Sequence, residues 1–170
     1  MILETERLLL RELTREDFPA LCAILQDREV MYAYEGPFSD REVWDWLERQ
    51  QDRYARLGYG LWAAVRKETG EMIGQCGLTM QVWREEQVLE IGYLFQRAQW
   101  HQSYATEAAR RCKEYAFQEL DAEEVCSIIR DTNLPSQRVA LRNGMAPQDR
   151  WTKHYRGVDM PHTRYVAVRG

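Results

Sequence analysis

The chain has 170 residues, of which 45% are hydrophobic and 29% are charged. This length predicts one domain over residues 1–170, and the apolar content excludes a globally disordered protein. Lys and Arg number 23 against 27 Asp and Glu, so the formal net charge is −4. That charge argues against a nucleic-acid-binding protein that depends on a strongly basic face.

The first residues and the cysteine pattern bear on location and chemistry. The apolar run Leu8–Leu10 is flanked by charged residues and is too short for a signal peptide, so we expect a cytoplasmic protein without a membrane partner. The four cysteines lie far apart without a C-x-x-C pair, and the three histidines form no H-x-x-x-H pair. We therefore expect buried, reduced thiols and no metal site.

The first third of the chain predicts one strand followed by three helices. Capping boxes, in which Ser or Thr precedes an acidic residue by three positions, begin at Thr14 and more strongly at Ser39. Gly58 is expected to end the third helix. The strand and helices predicted are Leu8–Leu13, Arg15–Leu25, Asp27–Met31 and a helix from Ser39 to about Leu57.

The remaining chain predicts strands around a single crossover. Polar turns at residues 67–71 and 84–86 separate three strand-like runs, which favours an antiparallel meander. A helix and another strand follow, so a parallel, right-handed crossover is expected between about residues 88 and 130. The predicted elements are strands Leu61–Val65, Met72–Met80 and Val88–Phe95, helix Tyr104–Phe117, strand Glu124–Arg130, helix Pro135–Asn143, and strands Trp151–Tyr155 and Thr163–Val168. This order predicts an α/β fold with one mixed, mostly antiparallel sheet flanked by helices.

The segment that joins the third meander strand to the next helix is the first candidate site. Ligands bind such sheets at the carboxyl ends of strands, beside the N-terminus of the following helix. Free backbone N–H groups and the helix dipole favour an anion there. Residues 94–107 therefore predict an anion site, although any strand–loop–helix junction offers similar groups.

This segment overlaps with one of seven short motifs that are distributed over nearly the whole chain and that match, in the same order, the motifs of a known family. They are Glu4–Arg11, Pro37–Ser39, Trp46–Leu47, Glu90–Tyr93, Trp100–Ala109, Asn133–Ser136 and Asn143–Met145. Together they resemble the ribosomal-protein N-terminal acetyltransferase subgroup of the Gcn5-related N-acetyltransferase (GNAT) superfamily. The subgroup has glycine where this chain has His101 and Ser103, and glycine permits positive φ and close approach to phosphate. The two replacements bear on cofactor affinity more than on the fold.

The resemblance implies acetyl-CoA as co-substrate. It implies that the backbone at Tyr93–Phe95 holds the pantetheine arm and polarises the thioester carbonyl, while Asn133 binds the pantetheine chain. Helix capping alone would also account for Asn133, and the two roles are compatible. The expected cofactor-binding residues are Tyr93, Leu94, Phe95, Trp100, His101, Gln102, Ser103, Tyr104, Ala105, Thr106, Asn133 and Ser136.

Two residues are the candidate catalytic groups under this resemblance. Glu90 would accept a proton from the amine directly or through water, because an ordinary amine is mostly protonated at neutral pH. A glutamate in a strand is more often solvated or salt-bridged, so this role stays open. Ser136 would lie near the sulfur as the partner of the leaving thiol.

The amine acceptor is less defined than the acetyl donor. The resemblance implies an acceptor site between the early helices and the last hairpin, where aromatic rings would suit an amine. Its candidate lining residues are Tyr32, Tyr34, Glu35, Trp83 and Tyr155. A protein N-terminus is the subgroup expectation, and a small amine is equally compatible.

Other functions and states remain open from the sequence. The replaced glycines and the open role of Glu90 also suit a non-catalytic acyl-CoA-binding or regulatory protein. A third alternative is a protein-interaction module that has lost CoA binding. The last strand, if exposed, could pair two copies across a sheet edge, so a homodimer is a further alternative.

Overall fold

A computed structural model describes residues 2–34, 36–155 and 157–170. Over these residues, eight strands form one sheet in the order β1-β2-β3-β4-β5-β6-β8-β7, and only β5 and β6 pair in parallel. The strands are β1 Leu3–Glu4, β2 Leu8–Arg11, β3 Leu61–Arg66, β4 Met72–Trp83, β5 Glu86–Phe95, β6 Glu124–Arg130, β7 Ala146–Tyr155 and β8 Val158–Val168. The helices are α1 Phe18–Leu25, α2 Asp40–Leu57, α3 Tyr104–Gln118 and α4 Leu134–Arg142. The predicted mixed, mostly antiparallel α/β fold is confirmed.

Local sequence signals explain the helix boundaries. The Ser39 hydroxyl accepts the Glu42 N–H at 3.2 Å, and the Glu42 carboxylate accepts the Ser39 N–H at 3.0 Å, so the predicted capping box begins α2. Gly58, at φ 82°, ends α2 in the left-handed conformation that glycine favours. The helix predicted over Asp27–Met31 is instead a short 3₁₀ turn over Val30–Tyr34.

Consecutive residues of β4 show that α2 and α3 lie on opposite faces of the sheet. The Gln75 side chain accepts the indole N–H of Trp46 from α2 at 2.9 Å. The next side chain, Cys76, lies 3.7 Å from the sulfur of Cys112 on α3. Because successive side chains of a strand point to opposite faces, the sheet separates an α2 face from an α3 face.

The core fills the space between the sheet and the helices on each face. It is built mainly from aliphatic side chains of β2, β3 and β4 together with the inward stripes of α1, α2 and α3. Three of the four cysteines are buried within it or beside it, in agreement with the expectation of buried thiols. Among the described helices, none is both long and apolar enough to cross a bilayer.

Candidate active site

The parallel strands β5 and β6 separate soon after they meet. Their ladder contains one registered pair, Glu90 with Cys126. Side chains then replace backbone pairing: the Glu90 carboxylate accepts the Ile128 N–H at 2.7 Å, and the Ser127 hydroxyl donates to the Ile91 carbonyl at 2.9 Å. The result is a cleft between the two strands near the centre of the sheet.

A cavity of about 610 Å³ occupies this cleft. Its walls come from α2, β4, β5, β6, the start of α4 and the β7–β8 hairpin. Thr79 pairs with Glu90 and Cys76 pairs with Tyr93, and residues paired across antiparallel strands share a face. Glu90 therefore lies on the α2 face and Tyr93 on the α3 face, so the cavity is bordered from both sides of the sheet.

Glu90 is a carboxyl group of the cavity wall, at the point where β5 and β6 separate. Burial raises its pKa to about 7, while the Ile128 N–H and the positive charges of Lys153 and Arg53 oppose that rise. A carboxyl group with this pKa can exchange protons with a ligand near neutral pH. One of its oxygens, Oε2, is already engaged by Ile128, so Glu90 also has a structural role in the strand gap.

The start of α4 borders the cavity on the α3 face. The Tyr93 hydroxyl donates to the Ser136 carbonyl at 3.1 Å, and burial raises the pKa of Tyr93. Asn133 Oδ1 accepts the Ser136 N–H at 3.3 Å and so caps α4. Tyr93, Asn133 and Ser136 all line the cavity, together with Leu94. The capping role of Asn133 thus coexists with a position in the candidate site.

The loop before α3 has the backbone conformation that its replaced glycines would favour. His101 and Ser103 both have φ of 65°, in the left-handed region. Within the described chain, the N–H groups of residues 101–106 have no hydrogen-bond acceptor. Six consecutive free donors at a helix N-terminus fit the oxygens of a pyrophosphate group.

Side chains from elsewhere fix this loop. Arg7 donates to the Gln102 carbonyl at 2.8 Å and lies 4.2 Å above the Tyr104 ring. Arg7 also pairs with Glu107 at 2.7 Å, which compensates a negative charge in the first turn of α3. The Trp100 indole donates to the Phe95 carbonyl at 3.0 Å and so closes the start of the loop. The contacts hold the free N–H groups in place.

The predicted acceptor residues are only partly brought together. Tyr34 lines the cavity, and Tyr32 lies beside it, with its carbonyl accepting from Arg130 at 3.1 Å. Trp83 does not line the cavity: it is buried in a second cluster, where its indole donates to Asp149 at 2.9 Å. Tyr155 is the last residue of β7, and Glu35 lies outside the described residues.

Several basic residues of the cavity were not among the predicted site residues. Arg49 and Arg53 reach it from α2, and Lys153, His154 and His162 reach it from the final hairpin. One signal on α2 could have indicated Arg53: the polar residue Gln50 interrupts the apolar stripe of the helix. In the structure Gln50 is fully buried and accepts a hydrogen bond from Arg53. The hairpin residues have no comparable signal: Lys153 and His154 lie in the predicted strand Trp151–Tyr155, but the sequence does not show which cavity that strand borders.

Comparisons with known proteins agree with this geometry. A sequence model of the acetyltransferase (GNAT) domain matches residues 7–146. The Bacillus subtilis (strain 168) protein YkkB is 38% identical over 144 residues, which cover 84% of each chain. The N-acetyltransferase p20 of Bacillus licheniformis is 32% identical over 148 residues, covering 86% of this chain and 82% of p20. An acetyltransferase structure from Agrobacterium tumefaciens str. C58 superposes with a TM-score of 0.82 at 28% identity, covering 98% and 94% of the two chains.

Proposed function

This chain belongs to the GNAT family of acetyltransferases, and we propose that it transfers the acetyl group of acetyl-CoA to a primary amine by direct attack on the thioester. The observation that carries the proposal is the cavity between β5 and β6, which is bordered from both faces of the sheet. A donor and an acceptor could therefore meet from opposite sides, with Glu90 beside the meeting point.

The α3 face supports the donor side of the proposal. The free N–H groups of residues 101–106 would bind the pyrophosphate, and the β5 backbone at Tyr93–Phe95 would hold the pantetheine arm. Acetyl-CoA supplies an activated acyl group, whose carbonyl needs a hydrogen-bond donor as it gains negative charge. A backbone N–H of β5 at the separated edge is the donor that we assign to it.

The α2 face supports the acceptor side. Transfer forms a C–N bond and breaks the thioester C–S bond, the amine gives up a proton, and the sulfur gains one. Glu90 would accept the proton of the amine, since its pKa of about 7 allows the carboxylate form near neutral pH. Ser136 would assist the leaving thiol from the start of α4, where it lines the cavity.

A calorimetric titration with acetyl-CoA and with free CoA tests the donor side. We expect micromolar affinity for the native chain and a loss of at least tenfold in Ser103→Glu, because the new carboxylate would oppose the pyrophosphate. Gln118→Glu adds the same charge at the exposed far end of α3 and should leave the affinity unchanged.

The second stage of the test measures thiol release with an amine panel. Binding followed by amine-dependent thiol release supports the transferase. Binding without turnover on any amine would favour an acyl-CoA-binding protein instead. No binding at millimolar acetyl-CoA, or normal affinity in Ser103→Glu, would contradict the donor site proposed here.

A further inference from the structure

The α2 face of the cavity carries three cations that have no ion-pair partner among the described residues. Arg49 and Arg53 lie one helical turn apart on α2, and Lys153 approaches from β7. Throughout the described parts of the chain, none of the three forms an ion pair. Arg53 and Lys153 are half-buried, and Arg49 is exposed at the rim beside them. Lys and Arg that lose contact with water are usually paired, so the two half-buried cations call for an explanation.

The carboxylates of the cavity wall do not balance these cations. Asp45 lines the cavity, and its charge is compensated by Arg41 at 3.2 Å, one helical turn away. Glu42 accepts the Ser39 N–H at 3.0 Å in the capping box and contributes one negative charge to the cavity wall. Glu90 remains, and burial keeps it only partly ionised near pH 7. The three cations therefore face at most two further carboxylates, Glu42 and Glu90, and the net charge of this side is positive whether Glu90 is ionised or neutral.

Arg53 shows the electrostatic strain most clearly. It is half-buried, and its pKa is lowered first by burial and then by the neighbouring Arg49, while Tyr34 and Glu90 oppose that shift only in part. Its hydrogen-bond acceptor is the neutral Gln50 side chain, at 3.2 Å. A guanidinium group in such a position gains most from an anion that accepts two parallel hydrogen bonds, as a carboxylate or a phosphate does.

The phosphates of the cofactor are not the anion that this site fits. The free N–H groups that suit a pyrophosphate lie at the start of α3, and α3 packs on the Cys76 face of β4. Arg49 and Arg53 belong to α2, which packs on the opposite face beside Gln75. The sheet therefore separates the two positive sites.

We propose that the acceptor is a small amine carrying a carboxylate or phosphate group, which Arg49 and Arg53 bind with the help of Lys153 while the amine lies beside Glu90. The inference rests on the proposed acetyl transfer and adds the class of acceptor to it. A cavity of about 610 Å³ shared with the acetyl donor suits a small molecule. The carboxylate and the phosphate are distinguished by the experiment.

The experiment compares amines that differ in the charge of their second group. With saturating acetyl-CoA, thiol release is measured for β-alanine, O-phosphoethanolamine, ethanolamine, 1,3-diaminopropane and trialanine amide. Binding of the same amines to the CoA-loaded protein is measured by calorimetry. We expect kcat/KM for one of the two anionic amines to exceed that of ethanolamine at least tenfold, and the better one identifies the anionic group.

Variants of α2 connect that preference to the arginines. Arg49→Gln and Arg53→Gln should each lower kcat/KM for the anionic amine about tenfold, mainly through KM, with CoA affinity unchanged within twofold. Arg53→Glu should favour 1,3-diaminopropane instead. Arg56→Gln is the matched control, because Arg56 is on the same helix but is exposed and paired with Asp52 at 2.9 Å.

The outcomes separate this inference from the proposed function. Loss of CoA binding in the native chain would overturn the proposed function itself. Three results would overturn only the anionic acceptor, provided that CoA binds normally. They are equal rates for all panel amines, a preference for the uncharged, cationic or peptide amine, and no binding of any panel amine. An anionic preference that persists in both glutamine variants would also overturn it.

Discussion

At the scale of single residues, Glu90 combines a structural and a chemical role. Its Oε2 accepts the Ile128 N–H at 2.7 Å, where the β5–β6 ladder stops, and its carboxyl group borders the cavity. Burial raises its pKa to about 7, and the Ile128 N–H, Lys153 and Arg53 each act to lower it. The same burial that suits a base therefore imposes a cost on the folded state whenever Glu90 is ionised.

Glu90→Gln separates these two roles, because the amide oxygen can still accept the Ile128 N–H. In the native chain, kcat/KM should rise with pH through about 7 as the carboxyl loses its proton. In the variant, kcat/KM should not show this rise with pH and should be roughly 100-fold lower. A pH–rate profile measures both effects, with Glu86→Gln at the exposed start of β5 as the control. If kcat/KM of Glu90→Gln still rises with pH near 7, Glu90 is excluded as the base.

Unfolding of the same variant tests the pKa independently of activity. The folded pKa is raised above the ordinary value of 4.5, so the folded state binds more protons than the unfolded state between about pH 4.5 and 7. The native chain should lose stability relative to Glu90→Gln as pH rises through that window. Urea unfolding at pH 4.5, 6 and 8 gives the difference, and an unchanging difference would contradict the raised pKa.

At the scale of elements, the loop before α3 keeps a glycine-like path with larger residues. Left-handed backbone costs an L-residue about 1–2 kcal/mol, and both His101 and Ser103 adopt it. Contacts from Arg7 to Gln102 and from Trp100 to Phe95 hold the loop in this form. Contacts with the rest of the protein thus impose the loop conformation. In this conformation the backbone N–H groups of residues 101–106 have no hydrogen-bond acceptor in the described chain.

His101→Gly and Ser103→Gly should relieve this strain. Glycine removes the left-handed cost but loses about 0.5–1 kcal/mol of chain entropy, so we expect a net stabilisation of about 0.5–1 kcal/mol for each. Affinity for CoA should be retained or increased. Gln102→Gly lies between them without a positive φ and should destabilise the chain instead. Denaturant unfolding checks the signs, and destabilisation by all three variants would argue against the loop conformation.

At the scale of the whole molecule, β4 joins the two faces of the sheet and tolerates little added volume. Gly77 approaches the backbone before β3 so closely that an added Cβ atom would clash with the Gly60 carbonyl oxygen. That carbonyl accepts the Leu78 N–H at 3.1 Å. A shift there would disturb β3, β4 and the α2 face of the cavity together.

Gly77→Ala should therefore lower the free energy of unfolding by at least about 2 kcal/mol, since backbone atoms must move to admit the methyl group. Gly92→Ala is the matched control, because Gly92 is the β5 partner of Gly77 and its added Cβ would meet the Leu61 side chain at an ordinary 3.5 Å. It should cost less than about 1 kcal/mol. Similar losses in thermal or urea unfolding for both variants would contradict the close approach.

Contiguous signals in the sequence determined the elements, their order and the family. Ser39 and Gly58 specify the ends of α2 through local hydrogen bonds and backbone conformation, and β6 has the predicted bounds Glu124–Arg130. The motif at residues 100–109 indicated the loop before α3 because neighbours in sequence form it. Helix caps, turns and strand–loop–helix junctions are short-range structures, so one sequence suffices to predict them.

Pairing between distant segments decided the rest. The final hairpin extends beyond its prediction because β7 pairs with β8, which also pairs with β6. Trp83 belongs to a buried cluster and not to the cavity, since Asp149 from β7 meets its indole. Arg53, Glu90 and Lys153 come together only when α2, β5 and β7 surround one cavity. The acceptor side depends on such long-range packing, so its charge was decided by the tertiary structure.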